Sequence, residues 1–152
     1  MSTQPSAELY QQVILEHNKK PRNLHKLDGA THEAEGFNPL CGDHLWVYLK
    51  ISTEGRIEAA SFEGAGCAIS KASASMMTTA LTGKTVDEAR RLFKEFHGLL
   101  LGELKPDVDA NELGKLRIFS GIWQYPSRVK CAALSWHAMN GALNELQSIS
   151  TE

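Results

Sequence analysis

The sequence predicts an α+β domain in which a small antiparallel sheet of about three strands carries helices on one face. Three observations lead there. A run at 45–51 alternates with period two and is followed, after a glycine turn, by a second strand. Stretches of helical periodicity lie on both sides of that hairpin. No strand–helix–strand repeat occurs of the kind that builds a parallel sheet. With 152 residues and 42% apolar content the chain is of ordinary size for one continuous core, so residues 1–152 are read as a single domain, with 1–6 and 148–152 frayed.

Taken in order, Leu9, Tyr10, Val13, Ile14 and His17 recur at helical spacing, and Pro21 requires that helix to have ended. Residues 28–36 are polar and read as a short edge strand or a loop. Asn38-Pro39 then marks a turn into Cys41-Gly42-Asp43. Leu45, Val47, Leu49 and Ile51 alternate with Trp46, Tyr48 and Lys50, the pattern of a strand with one face on the core. Gly55 supplies a turn, and 57–63 is the returning strand. Gly64-Ala65-Gly66-Cys67 follows at once, leading into a helix marked by Ile69, Ala72, Ser73, Met76, Met77 and Ala80 and closed near Gly83.

Thr85 and Glu88 have capping-box spacing, and Val86, Ala89, Leu92, Phe93, Phe96 and Leu100 form the stripe of the next helix. The stretch from Gly102 to Gly121 is mixed and reads as irregular or short-helical. After Pro126-Ser127, a last helix is drawn by Val129, Ala132, Trp136, Met139, Leu143 and Leu146, with Cys131 near its first turn.

Charge and composition narrow the function classes. Lys and Arg number 16 against 18 Asp and Glu, and the most basic stretch, Lys19-Lys20-Pro21-Arg22, is only four residues long, so nucleic acid is not an expected partner. The first twenty residues show neither a secretory signal nor a transit peptide, and no apolar run approaches the ~20 residues of a bilayer-spanning helix. We expect a cytoplasmic protein with no membrane partner. Three cysteines, an odd number, make a poor disulfide framework and direct attention to metal binding or thiol chemistry.

Thiolates bind zinc or iron, and soft metal sites combine them with histidine or a carboxylate. Cys41 and Asp43 flank a glycine, so in an extended segment their side chains share a side. Cys67 lies at the far end of the hairpin that Asp43 begins, and a hairpin brings its outer ends together. Only Cys131 needs tertiary folding to join them, and a position near a helix N-terminus, beside Arg128, favours its thiolate. Each cysteine alone is more often a small core residue than a ligand, Asp43 alone more often a turn or strand-entry residue, and Arg128 alone as readily a solvated one. On spacing, a shared metal or redox site and separate structural roles both remain open. None of the six histidines has a clear claim as a ligand: His44 points to the opposite strand face from Asp43, and His137 falls off the face of Cys131.

Four segments in order carry a resemblance. They are His17-Asn18-Lys19-Lys20-Pro21-Arg22-Asn23, Asn38-Pro39-Leu40-Cys41-Gly42-Asp43, the stretch from Phe62-Glu63-Gly64-Ala65-Gly66-Cys67 to Ser73, and Arg128-Val129-Lys130-Cys131-Ala132. With them, the chain resembles the IscU/NifU-like iron–sulfur cluster assembly family over nearly its whole length, and is most similar to its SufU branch. The resemblance implies zinc held by Cys41, Asp43, Cys67 and Cys131, or, in scaffold members, iron or a transient 2Fe–2S cluster on the same residues.

Lys130 stands where IscU-type members have a histidine, and the Gly102–Gly121 stretch is longer than theirs. Both features are SufU-like. That branch implies a zinc-dependent sulfurtransferase that accepts persulfide sulfur on Cys41 from a SufS-type cysteine desulfurase and passes it to a downstream Suf assembly scaffold, with Arg128 as charge support. The alternatives are a scaffold for cluster assembly and a structural zinc module for protein interaction.

Overall fold

The computed structural model describes residues 7–145 and the backbone of 148–150. Helix α1 (Ala7–Lys19) precedes strands β1 (His32–Asn38), β2 (Asp43–Ile51) and β3 (Ile57–Ala65). Helices α2 (Ala68–Leu81), α3 (Val86–Leu100) and α4 (Pro126–Leu143) follow, and a short strand β4 (Ser148–Ser150) comes last. The first three strands form an antiparallel meander, as the alternation of 45–51 requires, in the sheet order β3-β2-β1-β4. The fourth strand is an addition to the expected three. It pairs parallel with β1 through Glu35, Gly36 and Phe37, using backbone groups that the edge of β1 would otherwise leave open. Three residues carry no readable period, which is why the stretch looks frayed in sequence.

Leu45, Val47 and Leu49 of β2, Ala60 and Phe62 of β3 and Ala34 of β1 all point to one face and are buried under α2 and α4. The approach of α4 is close: a Cβ on Gly36 of β1 would stand 3.2 Å from both Leu134 and Ala138. Helices therefore lie on one face of the sheet, as the sequence predicts. Helix α2 is joined to α4 by polar as well as apolar contacts. Ser73 donates to the Ala132 carbonyl at 2.6 Å and accepts from the Trp136 indole at 3.2 Å. The Trp136 ring stacks on Phe96 of α3 with centroids 4.4 Å apart, which ties the third helix in.

The capping box at Thr85 and Glu88 is present, each side chain serving the other's backbone N–H, so α3 starts where the sequence places it. Helix α1 matches its predicted extent, but of its stripe only Ile14 is fully buried and Leu9 is exposed. The Gly102–Gly121 stretch is irregular, with a 3₁₀ turn over Gly114–Phe119 and a second at Ile122–Gln124. It is not a peripheral excursion. Leu113, Leu116, Ile118 and Phe119 are buried, and the Phe119 ring meets Tyr10 of α1 and Phe96 of α3 edge-on.

His97 of α3 and His137 of α4 meet edge-on, and the Phe93 ring contacts both. Burial pushes the His137 imidazole below its ordinary range, and the neighbouring His97 adds to the shift. His17, half-buried against Ser75, is lowered for the same leading reason. Protonation thus favours the unfolded chain: the stabilisation is complete above the unfolded value of about 6.5 and is lost as pH falls through the lower folded values. Melting temperature is expected to drop on acidification from about pH 7.5 to about 5.5, and less steeply for His137→Asn. Equal drops in the two proteins would show that His137 contributes nothing to acid sensitivity.

Candidate metal centre

Two hairpins and one helix bring the cysteines together. Residues 39–42 form the tight turn from β1 to β2, and Asn38 and Asp43 pair across its base. Gly42 takes a left-handed φ of +72°, so Cys41 and Asp43 approach through a turn rather than by the alternation of an extended segment. The second hairpin does what its topology requires. His44 pairs with Ala65, and Cys67, two residues on, arrives beside Asp43. Its backbone N–H donates to Asp43 Oδ1 at 2.7 Å, and its sulfur lies 4.0 Å from Asp43 Oδ2. A Cβ on Gly66 would be 3.0 Å from that same Oδ1, so the bare backbone leaves room for the carboxylate.

Helix α4 supplies the last member. Cys131 Sγ stands 3.3 Å from Cys41 Sγ, and one ligand atom from each of Cys41, Asp43 and Cys131 lies within 4.8 Å of the others. Cys67 borders this trio through Asp43. Burial is uneven across the group: Asp43 is 0% and Cys131 4% exposed, Cys67 is half-buried, and Cys41 is open to solvent.

The electrostatics reverse one expectation from sequence. Cys131 is the sixth residue of α4, beyond the first turn, and buried. Its thiol is pushed up, first by the adjoining Cys67 thiol, then by burial, by Cys41 and by the negative charges of Cys67 and Asp43. The cysteine at a helix start is Cys67, the N-cap of α2, whose sulfur accepts from the Ser70 N–H at 3.5 Å. It is pulled down to about 6, chiefly by the adjoining Cys131 thiol and with help from the Ser70 and Ile69 amides, against burial and Asp43.

Three sulfurs and a hard oxygen fit a tetrahedral soft cation such as zinc or iron. Cys41, Asp43, Cys67 and Cys131 would hold it, with loss of the Cys131 proton. Carboxylate and thiol desolvated side by side are otherwise an unfavourable arrangement.

Arg128 is exposed, its guanidinium 4.5 Å above the Tyr125 ring. Its charge reaches Tyr10, whose phenol is raised by burial, lowered by Arg128 and raised by Cys67 and Cys131. Among the described residues Arg128 makes no hydrogen bond or ion pair to the four. His44 bonds Glu35 and stacks on Trp46 on the other sheet face, and His137 belongs to the aromatic group between α3 and α4. Sequence reasoning missed Asn38. It is fully buried and its amide lies 3.4 Å from Asp43 Oδ2. The available signal was its place opposite Asp43, which appears only once the four-residue turn is recognised.

Comparison with known proteins places this arrangement. Residues 9–132 match the model of the NifU-like N-terminal domain. The chain belongs to that family. Within the NifU-like proteins, it is 41% identical to the zinc-dependent sulfurtransferase SufU of Bacillus subtilis, over 86% of each chain. It is 38% identical to the iron–sulfur cluster assembly scaffold protein IscU of Streptococcus pyogenes, over 89% of this chain and 82% of the other. A crystal structure from Fervidobacterium islandicum, assigned as a scaffold for the SUF system, superposes with a TM-score of 0.81 at 34% identity, covering 91% of this chain and 99% of that one.

This NifU-like protein is thus an iron–sulfur cluster assembly protein with the α+β fold of its relatives. Sulfurtransferase and scaffold names both occur among them. No helix in the described residues is long and apolar enough to cross a membrane.

Proposed function

We propose that the protein is a zinc-dependent sulfurtransferase that accepts persulfide sulfur on Cys41. One observation carries the reading: of the grouped thiols, only Cys41 is exposed, on a turn, while Asp43 and Cys131 are buried and Cys67 is half-buried behind it. An incoming donor meets Cys41 first. The Cys41 thiolate attacks the terminal sulfur of the donor's persulfide; a new S–S bond forms at Cys41, the donor's S–S bond breaks, and the donor leaves as its thiolate. Oxidation state is conserved overall, so no further oxidant or reductant enters.

Zinc, when bound, holds the thiols deprotonated at neutral pH. The donor is a SufS-type cysteine desulfurase and the recipient a downstream Suf assembly scaffold, both in the cytoplasm. Lys130, in place of the histidine of IscU-type members, supports a carrier over a scaffold, and Arg128 supplies positive charge near the site.

The test is the metal content of the purified protein, followed by mass spectrometry of Cys41 after turnover with desulfurase and cysteine. Zinc at one equivalent and a 32 Da adduct on Cys41, the mass of one sulfur atom, are the expected result. A protein that binds iron and sulfide as a coloured cluster and never carries the adduct is a scaffold. One that carries neither, and unfolds without zinc, is a structural module.

A further inference from the structure

Asn38 ends β1, pairs across the sheet with Asp43 and is wholly buried. Its amide nitrogen lies 3.4 Å from Asp43 Oδ2 and 3.9 Å from Cys131 Sγ. Its own Oδ1 is buried with no partner among the described residues. A carboxylate only accepts hydrogen bonds, so the NH₂ end must face Asp43; the flipped amide would set two acceptors against each other. A buried, half-satisfied amide costs stability that a leucine of similar size would not, and packing therefore gives no reason for asparagine here.

The sulfurs differ in what reaches them. Cys131 faces the Asn38 amide, and Cys67 accepts from the Ser70 N–H. Among the described residues Cys41 receives no N–H, and its one hydrogen-bond partner is the Cys131 thiol. An N–H donor draws electron density from a thiolate, which makes that sulfur a weaker nucleophile while orienting it as a ligand.

We propose that Asn38 is a positioning residue that makes the site unequal: its amide fixes Asp43 and quiets Cys131, leaving Cys41 as the sulfur free to react. This deepens the reading of Cys41 as sulfur acceptor and rests on it. When an ion is bound, Asn38 would orient both Asp43 and Cys131 as its holders, since its amide lies between them.

Asn38→Leu, which keeps the size and removes the amide, and Asn38→Ala, which cannot overpack, are compared with the wild type after circular dichroism confirms their fold. Zinc affinity measured against a chelator should fall roughly 10–100-fold, as it does when other outer partners of metal ligands are removed. In the cobalt(II)-loaded proteins the thiolate-to-metal charge-transfer band should move to longer wavelength.

Folded variants with the wild-type cobalt spectrum and zinc affinity would overturn the proposal. Should neither variant fold, the wild-type protein decides: the Asn38 side-chain amide resonance must move on addition of zinc, and an unmoved resonance overturns it equally. If spectrum and zinc affinity change as stated while Cys41 carries no persulfide in turnover, the role of Asn38 stands and the sulfur-acceptor reading falls.

Discussion

A Cys41→Ser protein is expected to keep the circular dichroism and melting profile of the wild-type fold while sulfur acceptance from a desulfurase falls at least ~100-fold, because the covalent acceptor itself is gone. The contrast arises from where Cys41 sits. It lies on the exposed turn between β1 and β2, and its one side-chain partner is the sulfur of Cys131. No core contact depends on it. The substitution also leaves an oxygen in place of a soft donor, so zinc should still bind, with lower affinity. Cys131→Ser supplies the opposing control: that side chain is buried among Asp43, Asn38 and Cys41, and its replacement should lower the melting temperature as well. Desulfurase stimulation and mass-spectrometric counting of sulfur on the protein measure the first effect. Wild-type sulfur uptake by Cys41→Ser would show that another group is the acceptor.

The largest expected effect on stability lies one strand away, at Gly64. Its φ of +124° is closed to residues with side chains, and a Cβ built there would stand 2.1 Å from the His44 carbonyl oxygen and 2.9 Å from the Leu45 Cα. Both neighbours are backbone of β2, held in the register that pairs Gly64 with Leu45, and neither can swing aside. Gly64→Ala is therefore expected to cost about 3–5 kcal/mol, from backbone strain and the displacement of a central strand. Thermal unfolding should begin on the order of 10 °C lower. Because His44 follows Asp43 directly, zinc affinity should fall in the same variant. An alanine variant that melted with the wild type would mean that β2 and β3 can separate at this point without loss.

These two residues also show how much could be read in advance. The approach of Cys67 to Asp43 was legible, since alternation located both strands and hairpin geometry joined their outer ends. So was the start of α3, where Thr85 and Glu88 act within one turn of chain. Local rules failed where a property depends on what lies across the fold. Cys131 looks like an activated thiol from its distance to Pro126, yet the nearby thiols, burial and the carboxylate push it up instead. Asn38 has nothing to mark it until register is known, because its meaning lies in the residue opposite. The pairing of Ser148–Ser150 with β1 is carried by backbone groups, which are the same in every sequence.

The origin of Cys131 in α4 has a consequence for how the protein is made. Cys41, Asp43 and Cys67 emerge from the ribosome in one early stretch, and the β-meander that joins them needs no later residue for its own pairing. Cys131 comes 64 positions after Cys67, on a helix that must dock on β1, β2 and α2 before its sulfur reaches the others. A nascent chain therefore displays an incomplete set of these four side chains for most of its synthesis, and an ion that needs all four would bind last. On the proposed zinc reading, loading would therefore report that α4 has docked.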